Sequence, residues 1–124
     1  MNNDNPFMGL GVALVIPFTT DGQIDWNKLA ELIEFQISNG TDYLCILGTT
    51  AETPTLTDDE KLQVVKTAIK QINGRIPIMV GCSSNNTATV LSQIKQFEIE
   101  GVDGILTAVP YYNKPSQEGI YQHF

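Results

Sequence analysis

Leu47-Gly48-Thr49-Thr50-Ala51-Glu52-Thr53-Pro54-Thr55-Leu56 joins an unbroken apolar run to a capped helix, and this junction decides the fold. Upstream, Tyr43, Leu44, Cys45, Ile46 and Leu47 have the length and continuity of a strand buried on both faces of a parallel sheet. Downstream, Thr57 and Glu60 have the spacing of a capping box, so a helix is predicted to begin near Asp58. A strand feeding a helix through a glycine-led turn is a βα unit, and chemistry collects at the carboxyl ends of such strands. Thr49 and Thr50 place two adjacent hydroxyls on that turn, whose free N–H groups suit a carboxylate or phosphate. The competing local reading is a loop whose threonines make ST-turns.

The same unit repeats along the 124 residues. Leu10 to Phe18 reads as a first strand, followed by a turn at Asp21-Gly22. A helix from Asp25 carries Trp26, Leu29, Leu32, Ile33, Phe35 and Ile37 and stops at Gly40. After the Tyr43–Leu47 strand, a second helix from Asp58 to Asn73 turns Leu62, Val65, Ala68, Ile69 and Ile72 inward and ends at Gly74. Ile76 to Val80 is a third strand. The polar turn from Gly81 to Asn86 offers Asn85 or Asn86 as cap for a third helix with Val90, Leu91, Ile94, Phe97 and Ile99 on its apolar face, closed by Gly101. Gly104 to Val109 is a fourth strand, and Ser116-Gln117-Glu118 starts a fourth helix.

Four βα units imply a parallel sheet. An eight-unit barrel takes roughly 250 residues, so the expectation for residues 1–124 is an α/β fold, the N-terminal half of a (β/α)8 TIM-barrel catalytic domain, cut within its fourth helix. A doubly wound dinucleotide fold would carry a Gly-x-Gly-x-x-Gly turn after the first strand, and Ile16-Pro17-Phe18-Thr19-Thr20 has none.

With 42% hydrophobic and 17% charged residues, the composition is that of a soluble globular core. A formal charge of −7, with seven scattered Lys and Arg, argues against nucleic acid as a partner. Met1 to Met8 brings no basic residue ahead of the apolar run Val12 to Phe18, so no signal peptide and no membrane partner are read, and a cytoplasmic location is expected. Cys45 and Cys82 fall in or beside predicted strands and are read as small core residues. One histidine, His123, and no Cys-x-x-Cys make a metal centre improbable.

Gly48-Thr49-Thr50-Ala51-Glu52, the following Pro54-Thr55-Leu56, and Pro110-Tyr111-Tyr112-Asn113-Lys114-Pro115-Ser116-Gln117-Glu118-Gly119 together resemble the dihydrodipicolinate synthase family. These are the 4-hydroxy-tetrahydrodipicolinate synthases of lysine (diaminopimelate) biosynthesis. The resemblance runs from the Pro17 turn through Gly74-Arg75-Ile76-Pro77 to Tyr121-Gln122-His123-Phe124 and covers the family's N-terminal half. The first motif is shared across pyruvate-dependent class I aldolases and lyases; the paired-tyrosine run is more selective, and sialic acid lyases look different in both places.

The resemblance implies a lyase in which pyruvate forms a Schiff base with a lysine, becomes an enamine and attacks aspartate semialdehyde, with no separate cofactor. By position, Thr50 would be the hydroxyl of a Tyr-Thr-Tyr proton relay, and Thr49 with the Thr50 backbone would hold the pyruvate carboxylate. Tyr112 would be contributed to the neighbouring subunit's site in a homotetramer built as a dimer of dimers. A hydroxyl chain moves protons through a closed site without carrying charge. The Schiff-base lysine must be desolvated to be nucleophilic, yet Lys28, Lys61, Lys66, Lys70 and Lys95 lie on predicted amphipathic helices and Lys114 in a loop. The family's lysine, its second relay tyrosine and its substrate-binding arginine belong to later strands, so this chain alone is expected to be inactive.

Two departures carry expectations. Ala51 stands where most of the family has glycine, which implies a right-handed or extended backbone there. In lysine-inhibited relatives an allosteric pocket at the tight-dimer interface holds lysine with an acidic side chain and imidazoles. Tyr111 and Asn85 match that pocket, but Thr89 replaces the usual Glu, and Asp58 and Lys61 occupy positions where histidines often stand. Losing the carboxylate that pairs with the ligand's ammonium should cost about 1.5 to 3 kcal/mol, so weak feedback is expected. Glu52 is read as a structural acid bonded to loop N–H groups, Lys114 as a solvated rim charge and His123 as a surface or interface residue. Tyr111 and Tyr112 are open to exchange, one as relay and one as aromatic plug. Two other functions stay open: a sister lyase acting on a sugar acid, and a non-catalytic carboxylate-binding half-barrel.

Overall fold

A computed structural model describes residues 5–98 and 100–124. Their order is β1 (Gly11–Ala13), α1 (Trp26–Ser38), β2 (Tyr43–Ile46), two 3-10 turns (Thr49–Ala51 and Thr53–Thr55), α2 (Asp58–Ile72), β3 (Ile78–Gly81), α3 (Thr87–Phe97), β4 (Gly104–Leu106) and α4 (Gln117–His123). The four strands form one parallel sheet in the order β1-β2-β3-β4. Sequential parallel order with a helix after every strand is the winding of a (β/α)8 barrel, of which this is the N-terminal half.

The helix boundaries follow their caps. Asp25 accepts from the Lys28 N–H at 2.9 Å, and the Thr57–Glu60 box closes from both sides at 2.7 and 3.2 Å. The Thr57 backbone donor holds the Glu60 carboxyl below its ordinary range. Asn86 caps α3 and Ser116 caps α4. These contacts satisfy N–H groups that have no partner inside their helix.

One sheet face carries Val12, Leu44 and Ile78 in register, then Ile46, Val80 and Ile105. Leu29 and Ile33 of α1, Val64, Val65, Ala68 and Ile72 of α2, and Phe97 of α3 bury against this core. Each fully buried aliphatic contributes about 1.5 to 3 kcal/mol. The opposite face aligns Ala13, Cys45, Met79 and Gly104, the inward row of a barrel. At the amino-terminal end of the strands Phe7 packs edge-on against Tyr43, ring centroids 5.3 Å apart. Gly104 is the position that leaves room for the Phe7 ring, since a Cβ there would overlap it.

Several expectations are corrected. The first strand is three residues rather than Leu10–Phe18. Pro17 has no N–H, and Phe18 instead bridges antiparallel to Ile24 around the Asp21-Gly22 turn. Phe35 is 60% exposed because it lies two positions, about 200°, from buried Ile33 on the helix. Leu91 is 55% exposed beside buried Val90 for the same angular reason, while Val64 joins the buried face of α2 beside Val65. β3 starts at Ile78, after Pro77, with its first N–H given to Asp103 at 2.8 Å. β2 ends at Ile46 and β4 at Leu106, both short of expectation. Ile99, expected on the apolar face of α3, lies outside the described residues. No helix among the described residues is long and apolar enough to cross a membrane.

Candidate active site

β2 ends in a bend that its sequence does not favour. Leu47 has φ 59 while 3% exposed, a left-handed conformation uncommon for a large aliphatic residue. Two neighbours hold it there. Gly81 at the end of β3 leaves space for the Leu47 carbonyl, which a Cβ would strike. The Thr53 hydroxyl then donates to the Leu47 and Gly48 carbonyls at 3.1 and 2.8 Å.

Gly48 is extended, and Thr49–Ala51 form one 3-10 turn closed by Ala51 N–H to Gly48 O at 3.0 Å and Glu52 N–H to Thr49 O at 3.1 Å. Among the described residues the Thr49 and Thr50 N–H groups have no hydrogen-bond partner, as expected for the first donors of a turn. Ala51 is fully buried with a right-handed backbone, in line with the expectation for its departure from glycine. The positive φ, 52°, falls on Glu52 instead. Glu52 is exposed, and among the described residues its carboxylate makes no hydrogen bond, which corrects its reading as an acid tied to loop N–H groups.

A cavity of about 570 Å³ opens where the loops after β2, β3 and β4 meet. Thr49, Thr53, Ser83, Ser84, Thr107 and Tyr111 line it with hydroxyls, Lys61 adds a cation, and among the described residues no acidic side chain takes part. The Ser83 hydroxyl accepts from the Ala108 N–H at 3.1 Å, tying the loops after β3 and β4 together. The Thr107 hydroxyl oxygen is buried with no partner among the described residues. Thr49 thus borders the cavity, whereas Thr50, exposed on the same turn, is outside its lining.

Tyr111 lines the cavity and Tyr112 does not. The Asn113 N–H donates to the Tyr111 carbonyl at 3.0 Å, closing a three-residue turn around Tyr112, whose φ is 74. Such a turn with positive central φ is rare and strained. It presents Tyr112 outward at 91% exposure. Lys114, also at positive φ, is exposed at the rim.

An adjoining groove of about 430 Å³ brings together Asp58, Lys61 and Thr89 with Ser92, Gln93 and Gln96. Lys61 and Gln93 belong to both cavities. Lys61 Nζ stands 3.0 Å from Asp58 Oδ1, with side chains 14% and 75% exposed. Asn85 is exposed and borders neither cavity.

His123 is partly buried rather than a surface residue: its Nδ1 lies 2.8 Å from the Thr87 hydroxyl, and its ring meets Phe124 edge-on. It fastens α4 to the start of α3. Cys45 and Cys82 are free and buried as core residues. Burial raises the Cys45 thiol and pushes Cys82 up to about 11, so neither is poised as a thiolate. No cluster of three or more metal-ligating side chains occurs among the described residues.

Thr53, Ser83 and Thr107 were missed in the sequence. Gly81 at a strand end was the available signal for a close backbone approach; nothing local distinguishes Thr53 from its neighbours Thr50 and Thr55.

Residues 6–124 match the Dihydrodipicolinate synthetase family. The 4-hydroxy-tetrahydrodipicolinate synthase of Phocaeicola vulgatus is 56% identical over 116 residues, covering 94% of this chain and 39% of that protein. The Bacillus subtilis enzyme of the same name is 45% identical over 118 residues, 95% of this chain and 41% of that one. Among solved structures, the chloride-inhibited dihydrodipicolinate synthase from Acinetobacter baumannii complexed with pyruvate superposes with a TM-score of 0.90 at 43% identity, covering 93% of this chain and 40% of that one. The chain therefore spans about two fifths of the length of the relatives it matches.

Proposed function

The chain belongs to the dihydrodipicolinate synthetase family, and on that footing we propose that it is part of an enzyme condensing pyruvate with aspartate semialdehyde through a lysine Schiff base. The observation that carries this reading is the turn after β2. It offers two N–H groups, at Thr49 and Thr50, that have no partner among the described residues, beside a hydroxyl-lined cavity. Fixed backbone donors of that kind suit the carboxylate of a small keto acid.

On this reading Thr49 and the Thr50 N–H orient pyruvate. Schiff-base formation expels water from the keto carbon, so a proton must reach the departing oxygen. Carbon–carbon bond formation then needs a second proton at the aldehyde oxygen. The Thr50 hydroxyl passes these protons between two tyrosines, one of them Tyr112 from a neighbouring copy. The outward projection of Tyr112, away from its own cavity, supports that part of the reading. A homotetramer in the cytoplasm, working in lysine biosynthesis, completes the proposal.

The chain's six lysines stand on helices or, for Lys114, in a loop. Lys61, the one bordering the cavity, has its ammonium 3.0 Å from the Asp58 carboxylate. We therefore expect borohydride reduction with pyruvate to leave the mass of this chain unchanged, while an enzyme continued through the family's later strands gains a pyruvate adduct. An adduct on Lys61 or any other lysine here would overturn the assignment. In the continued enzyme Thr50→Val should lower kcat far more than it raises the pyruvate KM, and Thr49→Val should act more on KM. Near-normal kinetics in both would remove the relay.

A further inference from the structure

We propose that Asn73-Gly74, at the exposed end of α2, is a modification site where the chain converts its own asparagine to aspartate and isoaspartate, while Asn39-Gly40 is held out of the same reaction. Glycine after asparagine puts no side chain in the way of the main-chain nitrogen. The Gly74 nitrogen, giving its proton to solvent, bonds to the Asn73 side-chain carbonyl carbon. The bond from that carbon to Nδ2 breaks, and Nδ2 leaves with an added proton as ammonia. Water then opens the cyclic imide. Attack at the side-chain carbonyl gives aspartate; attack at the main-chain carbonyl gives isoaspartate, with one extra carbon in the main chain.

The two Asn-Gly pairs both follow the end of a helix, yet their reacting groups differ. At Asn39 the leaving amide donates to the Phe35 carbonyl at 2.7 Å, and the attacking Gly40 N–H donates to the Ile37 carbonyl at 3.2 Å. At Asn73 neither the side chain nor the Gly74 N–H has a hydrogen-bond partner among the described residues, and both residues are exposed. A Cβ built on Gly74 would meet nothing within 4 Å, so the imide ring has room. The Asp-Gly pairs, which form the same ring by losing water, are tied as well. Asp103 accepts from the Ile78 N–H at 2.8 Å, and the Gly22 N–H donates to the Thr19 carbonyl at 3.0 Å. Asn73 has φ 50 and ψ 45, so the ring closes only once ψ leaves the left-handed region. That turn breaks the bond from the Arg75 N–H to the Ile72 carbonyl, a single contact at a helix end where opening is cheapest.

The product acts on the contact between α1 and α2. Arg75 gives its N–H and its Nε to the Ile72 carbonyl at 3.2 and 3.0 Å, which aims its guanidinium at Glu34 of α1. An extra main-chain carbon between Ile72 and Arg75 shifts the arginine out of that register. The new carboxylate also lies at the carboxyl end of α2, where the helix dipole disfavours negative charge. Isoaspartate at position 73 therefore loosens the Arg75–Glu34 clasp.

The test ages this chain, folded and urea-unfolded, in the same mildly alkaline buffer, and reads each asparagine by peptide mapping with mass spectrometry and isoaspartate by enzymatic methyl transfer. In the folded chain Asn73 is expected to convert about tenfold or more faster than Asn39, whose two bonds must open first. Unfolded, the two should convert within about threefold of each other, since both are Asn-Gly pairs in a chain that no longer protects either. Asn73→Gln should remove the fast product and leave the slow one at Asn39. The isolated isoaspartate chain should unfold at lower urea than the parent, and Glu34→Gln should cost it less stability than it costs the parent. Equal folded rates at the two sites, a faster Asn39, or a folded chain that keeps Asn73 intact would overturn the site. An isoaspartate chain with the parent's urea midpoint would overturn its effect on the clasp.

Discussion

Thr53 donates its hydroxyl to the Gly48 carbonyl at 2.8 Å, and so one side chain fixes the turn that carries Thr49 and Thr50. The same proton reaches the Leu47 carbonyl at 3.1 Å, where the strand turns left-handed. Removing it takes this donor from the Leu47 carbonyl at a strained bend, while the Gly48 carbonyl keeps the Ala51 N–H. Thr53→Val is expected to destabilise the chain by about 1 to 2 kcal/mol in urea unfolding, and Thr53→Ser, which keeps the hydroxyl, to recover most of that. Equal stability of Thr53→Val and the parent would mean that Gly81 and packing alone hold Leu47.

A second prediction concerns acid. Arg75 forks onto Glu34 with contacts of 2.9 and 2.7 Å, joining the end of α2 to α1. The Arg75 guanidinium holds the Glu34 carboxyl at about 2 against an ordinary 4.5. Because the folded value is depressed, the stabilisation is present above pH 4.5 and is lost as pH falls toward about 2. Glu34→Gln should therefore melt below the parent at pH 7, and the difference should shrink as the pH drops through that window. Both groups are partly exposed, so high salt should narrow the gap at pH 7 as well. A difference independent of pH would assign the effect to packing.

What was legible in the sequence follows from where local physics dominates. The Thr57–Glu60 box, the helix start at Asp25, Asn86 as one of two caps offered for the third helix, the Tyr43–Ile46 run and the sequential βα winding all depend on residues close together in the chain. The strand ends were not legible, because β1 stops where Pro17 and the Phe18–Ile24 bridge redirect the chain. The candidate site was read as a set of hydroxyls, and Thr49 and Tyr111 do border one cavity. Its scaffold was not: the left-handed Leu47 exists only because Gly81, thirty-four positions away, makes room for its carbonyl. The Lys61–Asp58 pair is illegible for a different reason, since the i,i+3 spacing makes the two side chains neighbours on α2 without saying whether they meet each other or a ligand.

Tyr112 yields a third prediction. At 91% exposure its ring contributes little to this chain's own packing, so Tyr112→Phe should leave the urea midpoint unchanged. In the enzyme continued through the later strands the same change should lower kcat sharply. Mixing those chains with chains lacking the Schiff-base lysine should restore part of the activity, because some sites then receive both intact groups. No recovery in verified hybrids would place Tyr112 in its own subunit's site.

The last prediction is weak feedback by lysine. The resemblance implies that relatives inhibited by lysine would meet its ammonium groups with an acid at the position of Thr89. Here, among the described residues, the groove beside Thr89 holds one carboxylate, Asp58, and that carboxylate already faces the Lys61 ammonium at 3.0 Å. A lysine ligand would have to displace Lys61 from Asp58 while bringing a second cation close to it, and a cation left without a partner is costly to desolvate. Calorimetric titration of lysine into the continued enzyme should therefore give no sub-millimolar binding, with activity little changed. Thr89→Glu should tighten lysine by about tenfold, the factor that 1.4 kcal/mol represents. Lys61→Met should tighten it as well, by freeing Asp58 and removing the repulsion. Strong inhibition of the parent enzyme, or indifference of lysine binding to both substitutions, would show that the charge at Lys61 and the missing acid at Thr89 do not set the affinity.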